Sequence, residues 1–481
     1  MSTLAQDLAL LEARGLLRVT LEQAKPIVRF KHTLTREATY NSILHARRSE
    51  LHRAAAETLT AVYPQPDLEM ALTIADHWLR ASEDVRALET LLPRAQNLIY
   101  TGRSTWLMEL LTRLRREFFS QTQQRDLDVA LADAHVARGE YDAARDLYER
   151  ALTFPSSDAQ RAQLLHSLGA AAYHLHHTER AIEYQRASLA LARQLGDIRL
   201  QARASGGLGL AYWNRGDYPN TRENLLLSRE LALQIGESIE LANAEYNLAG
   251  MLLDLGEFRA AMEHAERATA LYEKLGHVPL MVRAMQMLGA CHYGLKDLPQ
   301  AAERYRQAIE KSRELHDNVV TALGLGNLAE VYADWNQLDQ AASAYAEAIA
   351  QLRATKYDSL LAYDLASLAS VQIHQAQNIS ASAAASDELL ARAQVNVMEA
   401  LELARRIQLQ EDEGVARRVL AELYAARGDW ENARTSVRQA IVLLEPLGRA
   451  LELERARQLE QAILTAMADD TVADSQKGVS Q

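Results

Sequence analysis

Four stretches of this chain align without a gap: YWNRGDYPNT (212 to 221), LLDLGEFRAA (252 to 261), HYGLKDLPQA (292 to 301) and YADWNQLDQA (332 to 341). They stand 40 residues apart. At the same step Leu recurs at Leu168, Leu208, Leu248, Leu288, Leu328 and Leu368, each followed by a small residue: Gly169, Gly209, Ala249, Gly289, Ala329 and Ala369. A period of this length calls for a stack of like supersecondary units rather than one enclosed core. Each unit reads as a helical hairpin. A first helix carries the Leu and small pair, a tight turn holds Gly216 or Gly256, and a second helix opens on Ala261, Ala301 or Ala341. Small side chains at those points let two antiparallel helices approach closely.

The unit returns upstream in HVARGEYDAARDLYERAL (135 to 152) and downstream in YAARGDWENARTSVRQAI (424 to 441). Leu420 lies 52 residues after Leu368, one period plus 12. The extra residues are the Ser/Ala-rich NISASAAASDEL at 378 to 389, read as an exposed loop or frayed helix end. About eight repeats are thus expected over 125–465. Residues 65–124 have helical periodicity without the signature and read as irregular hairpins. The tail, 466–481, is poor in large apolar residues and is expected to be disordered.

No window approaches 18 consecutive apolar residues. The opening MSTLAQDLALLEARG carries Asp7 and Glu12 where an export signal needs a basic start and an apolar core. A soluble, cytoplasmic chain with no membrane partner is expected. The single cysteine, Cys291, falls in a helical apolar pattern and is expected to be a buried, inert thiol. Net charge is −12. Residues 1–64 hold nine Lys and Arg against six Asp and Glu, so the rest of the chain is acidic and offers no nucleic-acid groove.

The positions Leu208-Gly209, Tyr212, Gly216-Asp217-Tyr218, and Ala261 with Ala268 resemble the tetratricopeptide repeat, in a variant longer than the usual period of about 34 residues. The resemblance implies an all-α fold, a right-handed superhelix or α-solenoid. It also implies a non-catalytic role in which the first helices line a concave groove for a protein segment or an effector. Three rows can be followed along those helices. One runs Ser167, Gly207, Asn247, Met287, Asn327; its Asn residues match the family positions that bond a peptide backbone, while the other three depart from them. The next runs Tyr173, Trp213, Leu253, Tyr293, Ala333, and the third His166, Gly206, Tyr246, Gln286, Gly326. Arg203, Arg283, Asp254, Glu330 and Asp334 add charge of both signs. The groove candidates are therefore Tyr173, Trp213, Tyr246, Asn247, Arg283, Gln286, Tyr293, Asn327 and Glu330.

Residues 1–64 follow a different pattern: a helix, a stop at Gly15, two short alternating runs, then two helices. Gly15-Leu16-Leu17, the run from Phe30 through His32, Leu34 and Glu37 to Tyr40, and Arg48-Ser49-Glu50-Leu51-His52 resemble the winged-helix end of signal-transducing ATPases with tetratricopeptide arms. The resemblance implies a small winged-helix-like α+β domain in which His32 would sense nucleotide phosphate. No Gly-x-x-x-x-Gly-Lys-Ser/Thr occurs in the 481 residues. Without a phosphate cradle His32 reads as a vestigial sensor with a structural role at the start of a helix. The cluster His174, His176 and His177 has the spacing of an inter-helix turn, and no metal or other cofactor is expected. No catalytic constellation stands out. The expected function is a protein-binding sensor arm or scaffold of a bacterial signalling or transcriptional system, its partner a protein or peptide such as an ATPase or a regulator. The alternatives are the C-terminal half of an ATPase whose nucleotide-binding core is a separate chain, and DNA binding through Arg29, Lys31, Arg36, Arg47, Arg48 and Arg53.

Overall fold

The computed structural model describes residues 2–22, 25–100, 102–114, 119–355, 357–378, 383–447 and 450–478. The chain divides into two compact units, 1–200 and 201–481.

The first unit opens with α1 (Ser2–Ala13), ended by Gly15 at φ +71°. Strands β1 (Leu17–Glu22) and β2 (Lys25–Phe30) then form an antiparallel hairpin that pairs Leu17 with Phe30 and Val19 with Val28. Helices α2 (Thr33–Ser42) and α3 (His45–Val62) follow, so the order helix, hairpin, helix, helix matches the pattern read from residues 1–64. Four short helices come next: α4 (Leu68–Arg80), α5 (Asp84–Leu91), α6 (Ala95–Tyr100) and α7 (Ser104–Arg113). They close around Leu88, Leu91, Leu98, Leu107 and Leu111. The pairs α8 (Gln121–Val136) with α9 (Tyr141–Leu152) and α10 (Asp158–His174) with α11 (Thr178–Leu195) complete the unit.

In the second unit the hairpin is the building block. Helix α12 (Ile198–Asn214) leads into it and pairs with α13 (Tyr218–Ile235). Then come α14 (Ile239–Asp254) with α15 (Phe258–Lys274), α16 (Val278–Gly294) with α17 (Leu298–Glu314), and α18 (Asn318–Asp334) with α19 (Leu338–Thr355). The last pairs are α20 (Asp358–Asn378) with α21 (Ala383–Arg406) and α22 (Gln410–Ala426) with α23 (Trp430–Leu444), followed by α24 (Ala450–Gly478). Among the described residues the fold is all-α apart from the small hairpin β1–β2.

Two features convert the 40-residue period into geometry. Each hairpin from α10–α11 to α18–α19 contains one residue in the left-handed region at its internal turn: His176, Gly216, Gly256, Lys296 and Asn336. A second such residue links each hairpin to the next: Gly196, Gly236, Gly276 and His316. Glycine adopts this conformation without a Cβ clash, whereas the histidines, Lys296 and Asn336 take it at a cost. The second feature is size matching. A β-carbon on Gly209 would lie 2.6 Å from the Leu225 side chain, and one on Gly289 would lie 2.9 Å from the Tyr305 ring. At Gly169, Gly209 and Gly289 the residue after the repeated Leu thus faces the one 16 positions later, and at the same spacing Ala249 and Ala265 are both fully buried. The repeated leucines from Leu168 to Leu368 are all buried, as are Ala261, Ala301 and Ala341.

In the stretch 378–389, residues 379–382 lie outside the described ones, and 383–389 are the exposed to half-buried start of α21, a helix end rather than a loop. The additional residues lengthen α20 to 21 residues and α21 to 24, because an Ala-rich run favours helix over coil. Likewise α24 runs on to Gly478, into the segment expected to be disordered. Among the described residues no helix is long and apolar enough to cross a membrane.

Candidate recognition face

Successive first helices of the second unit touch one another directly: α14 with α16, α16 with α18, α18 with α20, and α20 with α22. The rows identified from sequence run along α12, α14, α16 and α18, with their first members on α10 of the first unit.

The aromatic row is tied to the array. Trp213 on α12 donates its indole N–H to Asp254 Oδ2 on α14 at 2.7 Å, and its ring lies over Gly250, where a β-carbon would come within 2.7 Å. Two periods on, the Tyr293 hydroxyl of α16 donates to Asp334 Oδ2 of α18, also at 2.7 Å. Lys296 sits over the Tyr293 ring at 5.2 Å and 3.8 Å from Asp334. Both aromatics therefore cross-link neighbouring repeats while remaining partly exposed. In the sequence Asp254 and Asp334 read only as charges; each accepts from a donor 41 residues away, which follows from the stacking of hairpins.

The amide row behaves differently. Asn247 and Asn327 are half-buried on α14 and α18, and their side chains make no hydrogen bond among the described residues. Gln286 is buried and donates Nε2 to the Val320 carbonyl at 2.9 Å, which ties α16 to α18 and spends one of its donors. Tyr246 stands edge-on to Tyr272, and burial raises its phenol above the ordinary range. Arg283 is exposed and close enough that its charge works against that rise. Glu330 is half-buried, and burial raises its carboxyl above the usual carboxylate range, opposed by the charge of Arg455 on α24. Tyr173 belongs to the first unit, on α10, with its ring edge-on to His174.

His174 stacks on Tyr141 at 4.2 Å, His176 holds the left-handed turn position, and His177 precedes α11. Among the described residues no group of three or more His, Cys, Asp or Glu side chains is placed to hold a metal ion. Cys291 is fully buried, which pushes its thiol up to about 12.

In the N-terminal motif His32 stands exposed at the start of α2 in extended backbone conformation, and its side chain does not cap the helix. The chemistry of the motif lies further along. Tyr40 Oη and His52 Nε2 are 2.9 Å apart, and His52 Nδ1 and His77 Nδ1 are 2.8 Å apart, linking α2, α3 and α4 in one chain. Burial lowers the pKa of both histidines below the ordinary value, as does the charge of Arg80. His77 carries no periodic signal in the sequence.

A tetratricopeptide repeat family model matches residues 200–274 and 280–354, and a second tetratricopeptide repeat model matches 127–160. No curated protein matches the chain. Among solved structures, a signal transduction ATPase with numerous domains and a tetratricopeptide repeat sensor, from Pyrococcus horikoshii, is similar with a TM-score of 0.56 at 15% identity. The match covers 85% of this chain and 60% of that one, so the chain spans less than two thirds of that protein's length. A Rap protein complexed with competence and sporulation factor matches at 15% identity and TM-score 0.42, covering 86% of this chain and 98% of that one. The apo form of RapI matches at 11% identity and TM-score 0.49, covering 72% and 98%.

Proposed function

Since the chain carries an array of tetratricopeptide repeats, we propose that it is a non-catalytic recognition module whose first helices, α12 to α20, bind an extended protein segment. The observation that carries this reading is the pair Asn247 and Asn327. Each is a half-buried amide at the same place in its repeat, 80 residues apart, with donor and acceptor capacity unused by the fold among the described residues. A side-chain amide offers both groups that a peptide backbone needs. Exposed Arg283 and half-buried Tyr246, Trp213 and Tyr293 supply the flanking contacts, the aromatics acting where they are held by the array. Affinity capture from the native cell, followed by titration of the recovered partner against Asn247→Ala and Asn327→Ala proteins, tests it. Each lost hydrogen bond should cost about 0.5–1.5 kcal/mol of binding without lowering the melting temperature.

The fold similarity to a signal transduction ATPase with a tetratricopeptide repeat sensor favours one second reading. In it the chain is the sensor half of a switch whose nucleotide-binding core is supplied by another chain, the N-terminal unit is the winged-helix end of that module, and His32 is its sensor. An ATPase as the captured partner supports this; capture of an unrelated protein, with no effect of ATP on the complex, removes it.

A further inference from the structure

Buried carboxylates in this protein are generally matched. Glu245, 2% exposed, receives Arg229 Nε at 2.6 Å and faces His264 Nδ1 at 2.5 Å. Asp128, 1% exposed, receives Arg150 through two bonds of 2.5 and 2.6 Å. Asp364 on α20 is the exception. It is 7% exposed, and no hydrogen bond or ion pair reaches its carboxylate among the described residues. Its oxygens lie against Gly326 of α18, where a β-carbon would come within 2.9 Å of Oδ1. The charge that acts on it is another anion, Glu330, one turn further along α18.

The surroundings of this pair are aromatic. Tyr293 of α16, Tyr305 of α17, Tyr345 of α19 and Tyr363 of α20 all lie within electrostatic reach of Glu330. Tyr305 and Tyr345 are buried behind it, while Tyr293 and Tyr363 are partly exposed. The cation in reach of Glu330 is Arg455 of α24, which also faces Glu452. Arg455 Nη1 donates to Glu452 at 2.7 Å, Glu452 also accepts from Arg418 Nε at 3.1 Å, and Arg418 pairs with Glu422. Arg455 thus shares its charge between Glu452 and Glu330, which leaves Asp364 as the carboxylate that no cation compensates.

We propose that Asp364 and Glu330, rimmed by Tyr293 and Tyr363, form a cation-recognition site that takes one basic side chain, a guanidinium or an ammonium, of the segment bound along the first helices. The inference rests on the recognition reading above and adds the chemistry of one subsite. A buried carboxylate without a partner is costly, and a charge-assisted hydrogen bond from a cation removes that cost. Phenol rings beside the carboxylates attract the same ligand through their faces and reject an anion. Burial and the mutual repulsion of the two groups raise Asp364 to about 7, so the site is primed to hold either a proton or a bound cation.

The test uses two fluorescent peptides, Gly-Ala-Ala-Arg-Ala-Ala and the same sequence with Gln for Arg, titrated by anisotropy against the full chain at pH 8. The wild type should bind the Arg peptide at least about tenfold tighter, and the E330Q/D364N protein should show a ratio near one. D387N, which removes one charge from an exposed position on α21, should keep the wild-type ratio. D364N alone should raise the melting temperature, because it removes an unmatched charge; a residue with a purely structural role would lower it. If the wild type does not prefer the Arg peptide, if the ratio survives E330Q/D364N, if D387N abolishes it equally, or if D364N melts lower, the site is refuted. Should the double variant fail to fold, the D364N ratio and melt decide the matter. A captured partner that loses affinity to Asn247→Ala but not to D364N would overturn this subsite and leave the recognition face standing.

Discussion

Replacing Gly289 by Ala should destabilise the protein, against the usual trend for helices. In a helix interior Gly→Ala ordinarily gains about 1 kcal/mol. At position 289 the new β-carbon would lie 2.9 Å from three atoms of the Tyr305 ring, which is 3% exposed and has no open space to move into. Overpacking of that kind costs about 1–3 kcal/mol, so the net effect should be a loss on the order of 1 kcal/mol. Tyr305→Ala alone empties the facing position and should cost about 3–5 kcal/mol. In that background Gly289→Ala should become stabilising by about 1 kcal/mol, since the pair then reproduces the fully buried Ala249 and Ala265 of the preceding repeat. The coupling between the two changes should thus be on the order of 2 kcal/mol. Urea melts of the four proteins measure it, with amide hydrogen exchange in α16 and α17 as a local readout, because a repeat array need not unfold in two states. A stabilised Gly289→Ala single variant, or the same effect in both backgrounds, would refute size matching as the origin of the period.

Three further outcomes can be checked. His316→Gly places glycine where the preceding repeats carry Gly196, Gly236 and Gly276 in the left-handed conformation, so it should stabilise by roughly 0.5–1 kcal/mol in a thermal melt; a loss would mean that unfolded-chain entropy dominates. Asp364 is raised in the folded state by burial and by Glu330, with Tyr345 facing it from α19. Its contribution is fully present below the unfolded value of about 3.9 and lost as pH rises through about 7, so exchange protection of α18 and α20 should increase on acidification from pH 8 to 5 in the wild type and not in D364N. His52 and His77 have the opposite sign: their lowered values mean that their contribution is present above about 6.5 and lost as pH falls, so α2 to α4 should lose protection over the same acidification, and no change there would contradict the neutral Tyr40–His52–His77 chain.

The hairpin repeat was legible because its marks are local: a leucine, a small residue and a turn recur at one step, and burial of Leu168 through Leu368 follows directly. The turns were only half legible, because His176, Lys296 and Asn336 hold left-handed positions that glycine would have announced. The face was harder to read. Trp213 and Tyr293 were recognisable as a row, but their acceptors Asp254 and Asp334 belong to the next repeat. Asp364 escaped the row analysis because the residue 40 positions after Gly326 is Ala366, so the carboxylate that meets Gly326 is out of step with the period. His77 was invisible for a similar reason, since its partnership with His52 joins two helices that share no repeat.

The central claim, that a partner lies along the first helices, is tested most directly by site-specific photo-crosslinking. Leu323 is exposed on α18, at the same place in its repeat as Arg283 on α16, and Ala350 is exposed on the second helix α19. With a benzophenone side chain at one position or the other, the captured partner should crosslink from position 323 and not from 350. Crosslinking from 350 alone would place the partner on the second helices and contradict the account.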